Sequence, residues 1–138
     1  MAAQLRRAAA ACVVLALLGA CSPPQGSAPA VSAQERGAQI FQGNCAACHQ
    51  ADGAGIAHVY PPLAGSAVVN GDPAVLVRWV VKGERPAALP AGRYSAMMPQ
   101  YGWLGDADAA ALLSHLRSHF GNSAAALSAA DVARALGR

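Results

Sequence analysis

The sequence has few charged and few aromatic residues. Only 12% of its 138 residues are charged and 5% are aromatic, and beyond residue 20 eight basic residues stand against seven acidic ones. A nucleic-acid-binding domain normally carries a basic face, and no segment here provides one, so this class of function is excluded. The apolar fraction of 54% owes much to alanine, which buries little area. A small domain of this composition is typically stabilised by a metal, a disulfide or a large apolar cofactor.

No apolar run in the sequence reaches the roughly 20 residues that a membrane-spanning helix needs. The run from Ala8 to Ala20 is shorter and follows the basic residues Arg6 and Arg7, a pattern typical of a secretory signal peptide. We therefore expect residues 1–20 to be a signal peptide and residues 21–31 to be a flexible tether rich in Pro, Ser and Gly. Residues 32–138 are then the folded domain.

The end of the leader, Leu18-Gly19-Ala20-Cys21, resembles the lipobox of bacterial lipoproteins. In such proteins the leader is cut before the cysteine, which then carries several acyl chains, enough for stable membrane anchoring. The resemblance implies that Cys21 is lipidated and anchors the protein on the periplasmic side of the bacterial cell envelope. An ordinary signal peptide cut after an alanine is the alternative.

Two of the four cysteines belong to the folded domain, in the motif Cys45-Ala46-Ala47-Cys48-His49. The spacing Cys-x-x-Cys-His is typical of covalent attachment of a c-type haem. Residues three apart on a helical turn lie on one face, so both thiols can reach the haem vinyl groups while His49 ligates the iron.

The same two thiols could form a thioredoxin-like redox pair, half of a zinc site or a structural disulfide. A redox pair is expected after a strand, whereas a helical pattern precedes this motif. A zinc site needs a second pair of ligands, and only His115 and His119 have a suitable spacing, which an amphipathic helix explains equally well. Export also delivers the chain to the compartment where c-type haem is attached, so we favour haem.

Four segments carry helix start and stop signals, and no segment is typical of a strand. Gly37 and Phe41 share a face of the first segment, where a neighbouring helix could approach closely. Residues 84–105, rich in proline and glycine, are expected to form a long ordered loop. The sequence therefore predicts an all-α domain of about four to five short helices around one covalently bound haem, with helices over residues 32–44, 72–83, 106–121 and 128–136, the third capped by Asp106.

Met97-Met98-Pro99 lies within the long loop and offers a thioether as the second axial ligand of the iron. A thioether pairs with histidine in electron-transfer cytochromes. Because a residue before proline is held in an extended conformation, we assign Met98 as the ligand and Met97 to packing. Packing alone is the alternative for both, and His58 is a rival ligand.

These motifs together resemble those of class I c-type cytochromes, over about residues 33–138. The stretch around residues 120–134 is similar to the haem domains of cytochrome c subunits of bacterial alcohol dehydrogenases. The resemblance implies that Gly37 and Phe41 cross the helix starting near residue 106, that the Pro61 carbonyl accepts a hydrogen bond from the His49 ring and that Leu63 packs on the haem. His115 stands where relatives often have an aromatic residue at this crossing, and Gly105 where they often have a serine cap.

The chain has one haem motif where those dehydrogenase subunits carry three, so we expect a free-standing carrier. Its expected role is electron transfer from a dehydrogenase or quinol-oxidising complex to a terminal oxidase or other acceptor, without enzymatic activity of its own. A haem subunit of a periplasmic oxidoreductase and a haem-based ligand sensor are the alternatives. The haem propionates need hydrogen-bond donors, and the side chains of Arg93, Tyr94 and Trp103 are candidates because each carries one. For the two tryptophans, Trp79 and Trp103, packing of the ring is an equally good explanation.

Overall fold

The computed structural model describes residues 31–89 and 91–138. The expected signal peptide, residues 21–30 of the expected tether and the lipidation site Cys21 lie outside the described residues. Within these ranges there are six helices and no strand, only an isolated bridge between Ile56 and Tyr60. The all-α prediction is confirmed. The helices are α1 (Ala33–Asn44), α2 (Ala46–His49), α3 (Ala67–Asn70), α4 (Pro73–Lys82), α5 (Asp106–Ser118) and α6 (Ala129–Leu136).

Three helices begin and end at the residues that the sequence indicated. Ser32 and Glu35 form a capping box at the start of α1. Asp72 accepts the backbone N–H of Ala74 in front of α4, and Gly83 ends that helix in a left-handed conformation. A second capping box, Ser128 with Asp131, starts α6. Local hydrogen bonding therefore accounts for the ends of these helices.

Both predicted ends of α5 are wrong. The N-cap residue is Gly105, which has no side chain to accept a hydrogen bond from the first turn. Asp106 is instead the first helical residue, where its negative carboxylate is stabilised by the positive end of the helix dipole. The helix ends at Ser118 instead of continuing to Phe120, because the backbone turns there through a positive φ of 59° at Phe120 and 77° at Gly121. The short helix α3, capped by Ser66, was not predicted.

Helices α1 and α5 cross in close contact at Gly37. A Cβ atom added at Gly37 would lie 2.2 Å from the carbonyl oxygen of Ala111, so only glycine allows this approach. Phe41, one turn along, is fully buried, with its ring centroid 5.7 Å from that of His115 and 5.0 Å from that of Phe120. The predicted close approach at the face of Gly37 and Phe41 is confirmed, and it fixes the end of α1 from which the cysteine motif continues.

His115 occupies the crossing as a buried polar residue. Its ring stacks on that of His119 with centroids 3.9 Å apart and meets the Phe120 ring edge-on. Its Nδ1 atom is buried without a hydrogen-bond partner. Burial, and secondly the charge of His119, lower the pKa of His115. The folded state therefore favours the neutral form of His115.

The chain after α5 returns across α4 and α5 and is held by the buried guanidinium of Arg117. Its Nε donates to the carbonyl of Ala125 at 2.7 Å, and its Nη1 donates to those of Val69 and Gly71 at 2.8 and 3.0 Å. Val132 of α6 is fully buried in the same core. These contacts hold the segment after α5 against the core.

Gly37→Ala should destabilise the domain by about 1–3 kcal/mol, because the added methyl group overlaps a backbone carbonyl at the α1–α5 crossing. Gly43→Ala is the matched control, since nothing lies within 4 Å of its added Cβ and alanine favours the helix by up to about 1 kcal/mol. Thermal unfolding measures both. Equal effects of the two substitutions would contradict the close contact at Gly37.

His115→Phe should reduce the loss of stability at acidic pH. With its pKa lowered in the folded state, His115 binds a proton more readily in the unfolded chain, so stability falls as the pH drops below the ordinary histidine value of about 6.5. Phenylalanine cannot titrate and should pack between Phe41 and Phe120. Denaturant unfolding at pH 7.5 and pH 5 measures the difference. An unchanged pH dependence in the variant would show that His115 does not resist protonation in the folded state.

Candidate haem-binding site

The Cys-x-x-Cys-His motif forms the junction between α1 and α2. Cys45 ends α1, where its N–H donates to the Phe41 carbonyl at 2.8 Å, and it also starts α2. The N–H groups of Cys48 and His49 donate to the Cys45 carbonyl at 3.1 and 2.9 Å. A single turn therefore carries all three side chains. Both thiols are free, that of Cys45 buried and that of Cys48 partly exposed.

The surroundings of these thiols do not match those of a redox-active pair or of a structural zinc site. Burial, and secondly the charge of Cys48, raise the pKa of Cys45 to about 11, whereas redox-active cysteines have lowered pKa values. Among the residues that the structure describes, no group of three or more His, Cys, Asp or Glu could hold a metal ion, which a structural zinc site would need. The motif offers two thiols for covalent bonds to the haem vinyl groups and one imidazole as an iron ligand, which is the combination that fits haem c.

The ring of His49 is held in one orientation by the backbone of a distant loop. His49 is 8% exposed, and its Nδ1 lies 2.9 Å from the carbonyl oxygen of Pro61. Because a carbonyl only accepts, Nδ1 carries the hydrogen and Nε2 keeps the lone pair that a metal ion requires. Burial lowers the pKa of His49, and the hydrogen bond to Pro61 opposes this only in part. The imidazole is thus neutral and suited to ligate iron.

The loop between His49 and Pro61 depends on a glycine at position 55. The N–H of Gly55 donates to the His49 carbonyl at 2.9 Å, and its φ is 68°, in the left-handed region. A Cβ there would lie 2.4 Å from the Tyr60 oxygen and 2.7 Å from the Pro61 oxygen. In the sequence, Gly55 stands in the glycine-rich stretch Asp52-Gly53-Ala54-Gly55, and no neighbouring residue indicates what it contacts. Its close approach to Pro61 follows from the tertiary structure.

Leu63 lies in the buried core, and its N–H donates to the carbonyl of Gly53 at 2.8 Å. Pro61 is partly exposed, two residues earlier. The loop that supplies the acceptor for His49 therefore also sends an apolar side chain into the core. This arrangement places Pro61 and Leu63 on the same short segment.

The structure separates the two neighbouring methionines. Met97 is 94% exposed, whereas Met98 is partly buried and packs against the hydrophobic core. Their segment pairs with the loop that leads to Pro61, because Ser95 donates to the His58 carbonyl at 3.0 Å and Ala96 donates to the Val59 carbonyl at 3.3 Å. The methionine segment is therefore attached to the loop that carries Pro61. The rival ligand His58 has an exposed side chain.

Two tyrosines lie beside the cysteines. The Tyr101 hydroxyl donates to the Asn44 carbonyl at 2.9 Å, and burial and then the charges of Cys45 and Cys48 raise its pKa. A hydrogen bond with the Cys48 side chain, followed by the charge of Cys48, raises the pKa of Tyr60. Sequence reasoning missed both residues, and the aromatic character of Tyr101 was its only signal.

The candidate propionate partners occupy different places. Arg93 lies over the Tyr94 ring, 6.0 Å from its centroid, and both line a cavity of about 290 Å³ together with Tyr60 and His58. Trp103 is 65% exposed and contacts Tyr101 instead, with ring centroids 6.4 Å apart. Trp79 packs against the core. Arg93 and Tyr94 thus line one cavity together, and neither tryptophan is part of its lining.

The family model for cytochrome c matches residues 34–120 of this chain. The cytochrome c subunit of alcohol dehydrogenase (quinone) from Gluconobacter oxydans (strain 621H) is 34% identical over 99 residues, 70% of this chain and 21% of that subunit. The cytochrome c subunit of gluconate 2-dehydrogenase from Pantoea cypripedii is 32% identical over 103 residues, 72% of this chain and 23% of that subunit. Cytochrome c-552 from Thermus thermophilus is 32% identical over 95 residues, 65% of this chain and 72% of that protein.

The chain spans about a fifth of the length of these two dehydrogenase subunits, and its similarity to them agrees with the resemblance found in the sequence. The match to cytochrome c-552 covers most of a single small protein. The family model spans the cysteine motif, the Pro61 loop and the methionine segment. The chain therefore belongs to the cytochrome c family, whose cofactor is covalently bound haem c.

Proposed function

We propose that this protein is a single-haem electron carrier in which Cys45 and Cys48 bind the haem and His49 and Met98 are the axial ligands. The observation that carries this proposal is the hydrogen bond from His49 Nδ1 to the Pro61 carbonyl, which leaves Nε2 free beside two thiols on one turn. When bound, haem supplies a one-electron Fe(III)/Fe(II) couple.

The chain's own contribution is to hold the ligands and to control the polarity around them. The carbonyl of Pro61 fixes the tautomer and orientation of His49 and raises the basicity of its ring. Burial of Leu63 and of the core around it excludes water from this side of the site. Met98 is partly buried and packs against the core. It supplies a thioether, which raises the reduction potential when it ligates iron.

We further propose that the chain carries electrons without catalysing a reaction of its own. The donor is a dehydrogenase or a quinol-oxidising complex, and the acceptor is a terminal oxidase or another oxidant. The alternative role as a haem subunit is favoured by the relatives that are dehydrogenase subunits. Copurification with a dehydrogenase separates the two roles, since a free carrier binds its partners only transiently. The third role, a haem-based ligand sensor, requires that the bond between Met98 and the iron be weak enough for an external ligand to replace it.

Attachment to the periplasmic side of a membrane through a lipid on Cys21 is also part of the proposal. It is supported by the lipobox-like residues 18–21 and by the polar tether that follows. None of the helices among the described residues has the length and hydropathy to cross a bilayer. An acylated cysteine would provide the attachment.

Met98→Ala should lower the reduction potential by a few tenths of a volt, within the range of about 0.8 V that axial ligands span. It should also let carbon monoxide bind the reduced protein, because the sixth position loses its sulfur ligand. The matched control is Met97→Ala, since Met97 is 94% exposed. Redox titration and carbon monoxide difference spectra measure both. A native potential in Met98→Ala would exclude Met98 as the ligand.

Cys21→Ser should move the mature protein from the membrane fraction to the periplasmic fraction, because serine cannot receive the lipid. Cys12→Ser is the control, since Cys12 lies within the expected leader and should not affect the distribution. Fractionation of cells, followed by mass determination of the mature N-terminus, provides the measurement. An unlipidated wild-type protein starting after an alanine would show that the leader is of the ordinary type.

A further inference from the structure

Asn122 is a buried amide whose hydrogen-bonding capacity is fully used. Its Nδ2 donates to the carbonyls of Leu63 at 3.0 Å and Leu116 at 2.9 Å. Its Oδ1 accepts from the N–H of Gly65 at 3.0 Å and from the amide of Asn70 at 2.7 Å. A primary amide has two N–H donors and two acceptor positions, so every one is occupied. Few side chains could replace it at this position.

These bonds join the segment after α5 to the loop that carries Pro61. Leu116 belongs to α5, whereas Leu63 and Gly65 follow Pro61 and Pro62. Asn122 lies beyond residues 34–120, the range that the family model matches.

The loop between Leu63 and Pro61 is stiff enough to transmit the position of one end to the other. Pro61 and Pro62 each have φ fixed by their rings, and the residue before a proline is held extended. Leu63 is fixed at its N–H by Gly53 and at its carbonyl by Asn122. Displacement of Leu63 would thus move the Pro61 carbonyl, which accepts the hydrogen bond from His49 Nδ1.

We propose that Asn122 is a positioning residue for His49: by holding Leu63 and Gly65 against α5, it keeps the Pro61 carbonyl at hydrogen-bonding distance from the His49 ring. The inference rests on the proposed function, in which His49 ligates the iron. A hydrogen bond to a ligating imidazole raises the basicity of the ring, which favours the oxidised metal. Asn122 therefore helps to set the reduction potential without touching the haem ligands.

Asn122→Ala should accelerate solvent exchange of the His49 Nδ1 hydrogen about fivefold, the factor that corresponds to the net contribution of one hydrogen bond. It should also raise the reduction potential. Nuclear magnetic resonance of the reduced haem protein, labelled with ¹⁵N-histidine, measures the exchange, and redox titration measures the potential. Neither readout depends on activity with a partner.

Ser114→Ala is the matched control for loss of stability alone. Ser114 also ties the chain after α5 to that helix, because its hydroxyl donates to the Leu127 carbonyl at 3.2 Å and accepts from the Leu127 N–H at 2.9 Å. Neither bond reaches the loop of Pro61 or a partner of Asn122. We expect this variant to unfold at a lower temperature with His49 exchange and potential unchanged. If Asn122→Ala alters exchange no more than Ser114→Ala does, the positioning role of Asn122 is overturned.

Asn122→Asp provides a second variant that preserves size. It keeps the acceptor facing Gly65 but places a second oxygen against the Leu63 and Leu116 carbonyls, so the same increase in His49 exchange is expected. Measuring both the exchange rate and the reduction potential also tests the positioning role of Asn122 separately from the ligation of iron by His49. Faster exchange with an unchanged potential would support the positioning role and contradict ligation by His49. Unchanged exchange in the folded Asp variant would overturn the positioning role whatever the potential.

Discussion

The hydrogen bond between the His49 ring and the Pro61 carbonyl is the constraint on which the candidate site depends. It decides which ring nitrogen holds a hydrogen and which remains free for iron. It also joins the helical turn of the cysteine motif to a loop twelve residues away in sequence, so the site exists only in the folded chain. Gly55 permits the approach of this loop, because any Cβ there would collide with Tyr60 and Pro61.

The rest of the fold keeps these two segments in place. The contact of Gly37 with Ala111 fixes α1 against α5 and so fixes the end of α1, where Cys45 begins the motif. On the other side of the core, Asn122 ties the loop after Pro61 to α5. Helix α5 is thus the common support of both halves of the site. The methionine segment is bound in turn to the loop before Pro61 through backbone hydrogen bonds of Ser95 and Ala96.

Features encoded by neighbouring residues could be predicted from the sequence. The capping boxes at Ser32 and Ser128, the all-α class and the cysteine motif depend on spacings of a few residues. The role of Gly55 could not be predicted, because it depends on contacts between Gly55 and the backbone of Tyr60 and Pro61 in the folded loop. Asn122 reads locally as an ordinary turn residue, and its partners lie 6 to 59 residues away. For the same reason, Tyr101 had no signal beyond its aromatic character.

The most direct test of the account is a redox-titrated absorption spectrum of the wild-type protein, produced with the machinery that attaches c-type haem. The ferric form is examined for the weak near-red band that reports sulfur bonded to haem iron. Coordination by His49 and Met98 predicts that this band is present and that the reduction potential is positive. A low potential without the band, or a five-coordinate iron that takes up external ligands, would contradict the proposed coordination and the carrier function that rests on it.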